Sequence, residues 1–310
     1  MALVTVFGAA GRQGTAQVRQ LKLAGHDVRA ISRRADPFLG EDYGPVEIRP
    51  ADIREMDSVV AAMEGSDAVF YTHPVKAAVG LIEAVTIIGQ AAVKANVKRV
   101  VWNTSSWIPD RPGESFSYAG NTIGLNALFR TGAPATVFGS VLFMDNLLTN
   151  WAFPFIVNEG RFVYPHKAHL ECSWISLDDV AKFMIASIDR PDLEGAWLNI
   201  GGPEILHPPQ VAEILSDVVG RPIKYDPSTP TEFAKNLCDA FGDEMSAEER
   251  KTTEAFMEAF YTFNNDGPQK PFRVDMGPVL ERIPIKLETM REWAGRQEWR
   301  MTNKPRPPAG

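Results

Sequence analysis

From the N-terminus to Phe138, short runs of β-branched and apolar residues alternate with longer stretches in which apolar positions recur every three or four residues. Leu3 to Phe7, Val28 to Ile31, Val46 to Ile48, Ala68 to Tyr71, Arg99 to Trp102 and Ala135 to Phe138 are of the first kind. A run as apolar as Leu3 to Phe7 fits a parallel strand that is covered on both faces. Between them, Thr15 to Ala24, Met56 to Met63, Val79 to Ala95 and Ile123 to Arg130 carry helical spacing. Six strands alternating with helices predict a doubly wound α/β sheet, because parallel neighbours need a crossover long enough to hold a helix.

After about Asn150 the rhythm loosens at Pro154, Gly160 and Pro165. Helical spacing returns over Ile175 to Ile188, and Trp197 to Ile200 offers a late strand. Val211 to Val219 predicts a helix, and Glu232 to Phe263 one or two more, whose Asp239, Asp243, Glu244, Glu248, Glu249, Glu254 and Glu258 read as a solvated acidic face. The expected division is a nucleotide-type sheet domain over 1–150 with returns near 174–202, and a smaller, mainly helical substrate region over 151–173 and 203–303. The proline-rich tail, 304–310, is expected to fray.

Charge narrows the function. With 32 Lys+Arg against 39 Asp+Glu the 310-residue chain carries −7, which argues against direct binding to a nucleic acid, whose phosphates need a basic surface. Cys172 and Cys238 lie far apart in the chain without CxxC or Cys/His spacing, so no disulfide framework and no metal site is expected. His166 and His169 flank a lysine, and without carboxylate support they imply no metal either. The N-terminus lacks a basic leader and no long apolar segment follows, so a reduced, cytoplasmic protein without membrane contact is expected.

The candidate chemistry sits where the first strand gives way to the first helix. Gly8, Gly11 and Gly14 occupy a G-x-x-G-x-x-G turn, with Arg12 and Gln13 between them. A dinucleotide's pyrophosphate rests against a helix N-terminus when the preceding turn is tight and carries no side chain in the way. The second strand ends Ser32-Arg33-Arg34, with no carboxylate at its tip to repel a 2′-phosphate. Two guanidiniums and a hydroxyl instead favour NADP(H) over NAD(H). Asp52, followed by Ile53, either caps the next helix or meets the adenine. Thr72, His73 and Lys76 follow the fourth strand, where carboxyl-terminal loops face the ligand crevice. There Lys76 is placed to reach a phosphate or ribose, and His73 is equally a structural hydrogen-bonder or a catalytic one. Trp151, Phe153, Phe155, Phe256, Phe260, Tyr261 and Phe263 either line an apolar pocket or, as is commoner for aromatic residues at helical spacing, fill the core.

Together these residues resemble the NmrA-like family, an atypical branch of the short-chain dehydrogenase/reductases with isoflavone-reductase-like and quinone-reductase-like enzymes and redox-sensing regulators. The resemblance rests on Val6 to Gly14, Arg33-Arg34, Ala51-Asp52-Ile53, Thr104-Ser105-Ser106, Phe143-Met144-Asp145-Asn146 and Trp174 to Ala181, about the first two-thirds of the chain. It implies a Rossmann domain binding NADP(H), with Phe143 to Asn146 bordering the nicotinamide and the carboxyl-terminal region closing over a small-molecule substrate.

Short-chain reductases use a Tyr-x-x-x-Lys pair, in which the lysine lowers the tyrosine pKa so that it protonates a carbonyl as hydride arrives. Here Tyr118 is followed by Thr122 at the lysine position, and Asn121 stands about where many catalytic NmrA-like members carry a lysine. Two functions follow. In one, the protein is an NADPH-dependent reductase of a small aromatic or quinone-like carbonyl or alkene, with Tyr118 as proton donor and Ser105 or Asn103 holding the substrate oxygen, or with water or the substrate supplying the proton. In the other, which Asn121 favours, it binds NADP(H) without turnover and reports redox state to a protein partner. Tyr118 itself is equally an amphipathic rim residue. A homodimer and a regulatory protein partner are the two macromolecular associations compatible with these readings.

Overall fold

The computed structural model describes residues 1–32, 44–74, 77–111, 116–241 and 245–300. Arg33, Arg34, Lys76, Asp243, Glu244 and the 304–310 tail, on which expectations fell, lie outside the described residues.

The sheet begins with β1 (Leu3–Phe7), α1 (Arg12–Leu23), β2 (Asp27–Ile31), β3 (Glu47–Arg49), α2 (Met56–Met63) and β4 (Ala68–Thr72). It continues through α3 (Leu81–Lys94), β5 (Arg99–Asn103), α4 (Phe116–Arg130) and β6 (Ala135–Ser140). After β7 (Arg161–Tyr164) and α5 (Leu177–Ala186), β8 (Trp197–Ile200) joins the open edge of β6, so that the seven strands run in the order β3-β2-β1-β4-β5-β6-β8, all parallel. The doubly wound α/β class follows from the alternation, and the late strand Trp197 to Ile200 completes the sheet.

Each strand divides its side chains between two cores. Phe70 of β4 and Phe138 of β6 pack with Val18 and Leu21 of α1 and Phe183 of α5 on one face. Val69 and Tyr71 of β4 and Val137 of β6 pack with Val59 of α2, Ile88 of α3 and Leu128 of α4 on the other. That two-sided cover is why β4 is almost continuously apolar, whereas β2 and the edge strand β3 carry Asp27, Arg29, Glu47 and Arg49.

The rest of the chain adds α6 (Pro208–Val219), β9 (Lys224–Pro227), α7 (Pro230–Phe241), α8 (Ala247–Asp266), α9 (Met276–Arg282) and α10 (Met290–Gly295). Strands β7 and β9 form a separate two-stranded parallel sheet that the sequence pattern does not predict. Both are short, and Arg161 pairs with the distant Lys224, so no local periodicity marks them. A third core fills this region, with Phe162, Tyr164, Trp174, Phe233, Tyr261 and Trp293 buried. α4 also starts earlier than the expected Ile123, which puts Tyr118 and Asn121 on the helix.

Candidate functional site

The strand order reverses at β1: the chain builds β2 and β3 to one side, then returns to place β4 on the other. A crevice opens outside the carboxyl ends of strands at such a switch point. The glycine turn lies there. Gly8 has φ 71°, in the left-handed region, and its carbonyl accepts the Gly11 N–H at 3.0 Å. Gly11 begins α1 with no side chain capping the helix, which leaves the first-turn N–H groups for a ligand. At Gly14 a Cβ would stand 2.2 Å from the Gly8 carbonyl oxygen and 2.6 Å from Ala9 Cα, so helix and turn meet only over glycine. This cradle fits a dinucleotide's pyrophosphate.

Several predicted residues converge on the crevice. Gln13, in the first turn of α1, donates from Nε2 to Ser105 Oγ at 2.9 Å and accepts at Oε1 from Asn103 Nδ2 at 2.6 Å. Asn103 Oδ1 accepts the Ser105 N–H at 3.1 Å and the Ser140 hydroxyl at 2.7 Å. Ser105 is held at φ 61°, uncommon for a residue with a Cβ, so its hydroxyl position is imposed by these partners. Thr72 ends β4 beside Gly8 and accepts at Oγ1 from Gln17 at 3.1 Å. His73 is half-buried, with Nδ1 2.7 Å from the Tyr71 hydroxyl, and burial holds its pKa below the ordinary histidine value.

The Phe143–Asn146 segment is tied to the glycine turn through Arg12. Phe143 bridges to Ile175, and Met144 donates its N–H to the Ile175 carbonyl at 2.9 Å. Arg12 reaches from the glycine turn to the Asp145 carbonyl. The Asp145 carboxylate is buried, which raises its pKa, while the Leu177 N–H it accepts at 3.0 Å and the Arg12 charge pull it back down. Asn146 is half-buried and donates from Nδ2 to the Tyr164 hydroxyl at 3.4 Å.

Other candidates stand elsewhere. Tyr118 is buried on α4, its ring edge-on to Trp107 and against Phe260, and its hydroxyl donates to Asn264 Oδ1 at 2.8 Å. Burial pushes its pKa up, whereas a proton donor needs it lowered. Asn121 donates to Ser106 Oγ at 2.7 Å and to the Trp107 carbonyl at 2.9 Å, clamping the loop after β5. Asp52 does not cap α2, whose N-cap is Glu55; its carboxylate accepts the Arg54 N–H at 3.0 Å and pairs with that residue's guanidinium. Ile53 packs on the α2–α3 side of the core. Ser32 is buried at the end of β2, its N–H donated to the Arg49 carbonyl at 3.0 Å.

Of the aromatic candidates, Phe153 and Tyr261 are buried and Phe256 is exposed. His166 is buried with Nδ1 3.8 Å from Cys172 Sγ. Among the described residues no group of three or more His, Cys, Asp or Glu could hold a metal, and no helix is long and apolar enough to cross a membrane. Gln17, Ser140 and Tyr164 contact these candidate residues without being singled out by any motif. Gln17 repeats Gln13 one helical turn later, a legible signal, whereas Tyr164 has none.

A doubly wound parallel sheet whose switch point holds a glycine turn and an uncapped helix is the architecture of a Rossmann-type dinucleotide-binding protein. The chain belongs to the NmrA-like family, which it matches over residues 1–294. It is 29% identical to the NAD(P)H azoreductase of Xenophilus azovorans over 226 residues, 72% of this chain and 76% of that one. The solved structure of an Escherichia coli NADPH-dependent quinone oxidoreductase complexed with NADPH superposes with TM-score 0.72 at 16% identity, covering 94% of this chain and 98% of that one. NmrA, a negative transcriptional regulator solved in complex with NAD, superposes with TM-score 0.73 at 16% identity, covering 95% and 94%.

Proposed function

We propose that this protein binds NADP(H) in the crevice between β1 and β4 and reduces a small aromatic or quinone-like acceptor. The observation that carries the reading is the Gly8–Gly14 cradle, open at the α1 N-terminus and walled by the Gln13–Asn103–Ser105 cluster. Gly8, Gly11, Arg12, Gln13 and Gly14 would hold the pyrophosphate, Thr72 and His73 the adjoining ribose, and Phe143 to Asn146 the nicotinamide end. Ser32, with Arg33 and Arg34 beyond it, would select the 2′-phosphate. The bound cofactor would supply a hydride.

This chain's residues then bind, orient and exclude water; among the described residues none supplies a lysine-activated tyrosine. Tyr118 commits its proton to Asn264, and a lysine in place of Asn121 would bring a longer side chain and an ammonium charge to a buried position. The substrates this favours are electrophilic enough to take their proton from water, such as quinones and azo compounds. Azoreductase and quinone oxidoreductase relatives support that choice.

The test is loss of NADPH absorbance with a panel of quinones, azo dyes, enones and aldehydes, alongside calorimetric titration of NADPH. Turnover of quinone or azo substrates is expected, and absence of NADPH binding would overturn the reading. A second reading, a non-catalytic NADP(H) sensor, is favoured by the structural duties of Tyr118 and Asn121. Tight NADPH binding with no turnover across the panel, and a protein partner recovered by pull-down, would establish it instead.

A further inference from the structure

Tyr164 ends β7 with no exposed surface, its ring packed among Trp151, Phe162, Trp174, Phe233 and Tyr261. This aromatic core is built from elements remote from the glycine turn, yet the phenol hydroxyl breaks out of it on one side to meet Asn146 Nδ2 at 3.4 Å. Burial raises the Tyr164 pKa, and the Tyr261 hydroxyl and the Asn146 amide pull it back, as groups donating toward the phenol oxygen do.

The backbone beside Asn146 is tied to the glycine turn: Asn146 follows Asp145, whose carbonyl holds Arg12 of that turn. A side-chain amide has a donor end and an acceptor end pointing in opposite senses. With Nδ2 engaged by Tyr164, Oδ1 is the free end, and among the described residues nothing donates to it.

We propose that Tyr164 is a positioning residue: by engaging Asn146 Nδ2 it presents Asn146 Oδ1 to the crevice as the acceptor for the carboxamide N–H of a bound nicotinamide. The inference rests on the proposed NADP(H) site and specifies the chemistry of its nicotinamide end, where the carboxamide is the N–H donor. Replacing the hydroxyl by hydrogen frees the amide to rotate and offer its donor end, while leaving the ring in its aromatic setting.

The experiment compares three ligands by calorimetry: NADP⁺, its 3-acetylpyridine analogue, which keeps the carbonyl but lacks the amide N–H, and adenosine 2′,5′-bisphosphate, which lacks the nicotinamide. The wild type is expected to prefer NADP⁺ over the acetylpyridine analogue by about five-fold, the scale of one neutral hydrogen bond. Tyr164→Phe and Asn146→Ala should each erase that preference and leave the affinity for the bisphosphate unchanged, and the double variant should add nothing further.

An equal loss for all three ligands would mean that Tyr164 only supports the crevice, and an unchanged preference would mean that Asn146 faces something else; either overturns the proposal. Because Asn146 is half-buried and outside the aromatic core, Asn146→Ala keeps the test available if Tyr164→Phe does not fold. Failure of the wild type to bind NADP⁺ at all would remove the cofactor site and this role together. Binding that ignores Tyr164 would remove this role alone.

Discussion

Asn103 Nδ2 donates to Gln13 Oε1 at 2.6 Å, tying the end of β5 to the first turn of α1 across the intervening β4. Asn103 is a fully buried hub, since its Oδ1 also serves Ser105 and Ser140. Asn103→Ala should therefore strand three groups and lower unfolding free energy by about 3 kcal/mol or more, each unmet buried group costing about 1–3 kcal/mol. Gln13→Ala leaves the buried Asn103 Nδ2 without its acceptor, so it should cost about 1–3 kcal/mol while also weakening NADPH binding. Urea denaturation and an NADPH titration of both variants separate the two effects.

Gly14→Ala places a methyl where the Gly8 carbonyl and Ala9 backbone already stand. Neither is a flexible side-chain end, so α1 must move off the turn. The expected cost is about 1–3 kcal/mol of stability. NADPH affinity should fall at least about ten-fold as the helix N-terminus leaves the pyrophosphate, an effect of about 1.4 kcal/mol being enough. Thermal melts with and without NADPH would check it: the variant should lose most of the ligand-induced rise in Tm.

Tyr118→Phe removes the donor to Asn264 and leaves a buried amide oxygen unmet. A stability loss of about 1–3 kcal/mol is expected, with the turnover of a quinone substrate changed less than about three-fold. A loss of turnover by orders of magnitude with stability intact would instead restore Tyr118 as the proton donor. Steady-state kinetics at saturating NADPH, with a denaturation curve on the same preparation, decides between them.

Burial pushes the His166 pKa down to about 3. In the unfolded chain the same imidazole titrates near about 6.5. Between those values the unfolded state binds a proton that the folded state refuses, so stability is lost as pH falls through this window and is whole above it. The limiting slope for one such proton is about 1.4 kcal/mol per pH unit. Denaturation midpoints from pH 7 to pH 5 should fall more steeply for the wild type than for His166→Phe, and parallel lines would mean that His166 is not the group responsible.

The glycine turn was legible because everything it needs is local: the strand Leu3 to Phe7, three glycines and the helix they open all lie between Leu3 and Leu23. The converging wall was legible only as a set of motifs, since Gln13 and Asn103 meet across 90 residues. Tyr118 could not be placed from its neighbours in the chain. Its partner Asn264 lies 146 residues away, on a helix whose apolar face the sequence showed without saying what it would cover. The same limit hid β7 and β9, strands too short for periodicity and paired only through the tertiary fold. Asp52 does not cap α2 because the helix starts at Met56, which puts the capping position at Glu55, three residues further on.

Strand β8 covers the outer edge of β6 but is drawn from residues 197–200, after the chain has built β7 and α5. During synthesis, the chain as far as Asn150 emerges with β1 to β6 and an unprotected border, since Val137, Phe138, Gly139 and Ser140 await partners that have not yet been translated. Phe138 waits as well for the Phe183 ring that will cover it. A nascent chain in that condition exposes a template for pairing with another copy. The unit that must be complete before this border is safe therefore extends to Ile200, the end of β8. A fragment ending at Asn150 should self-associate where one ending past β8 gains its own edge strand.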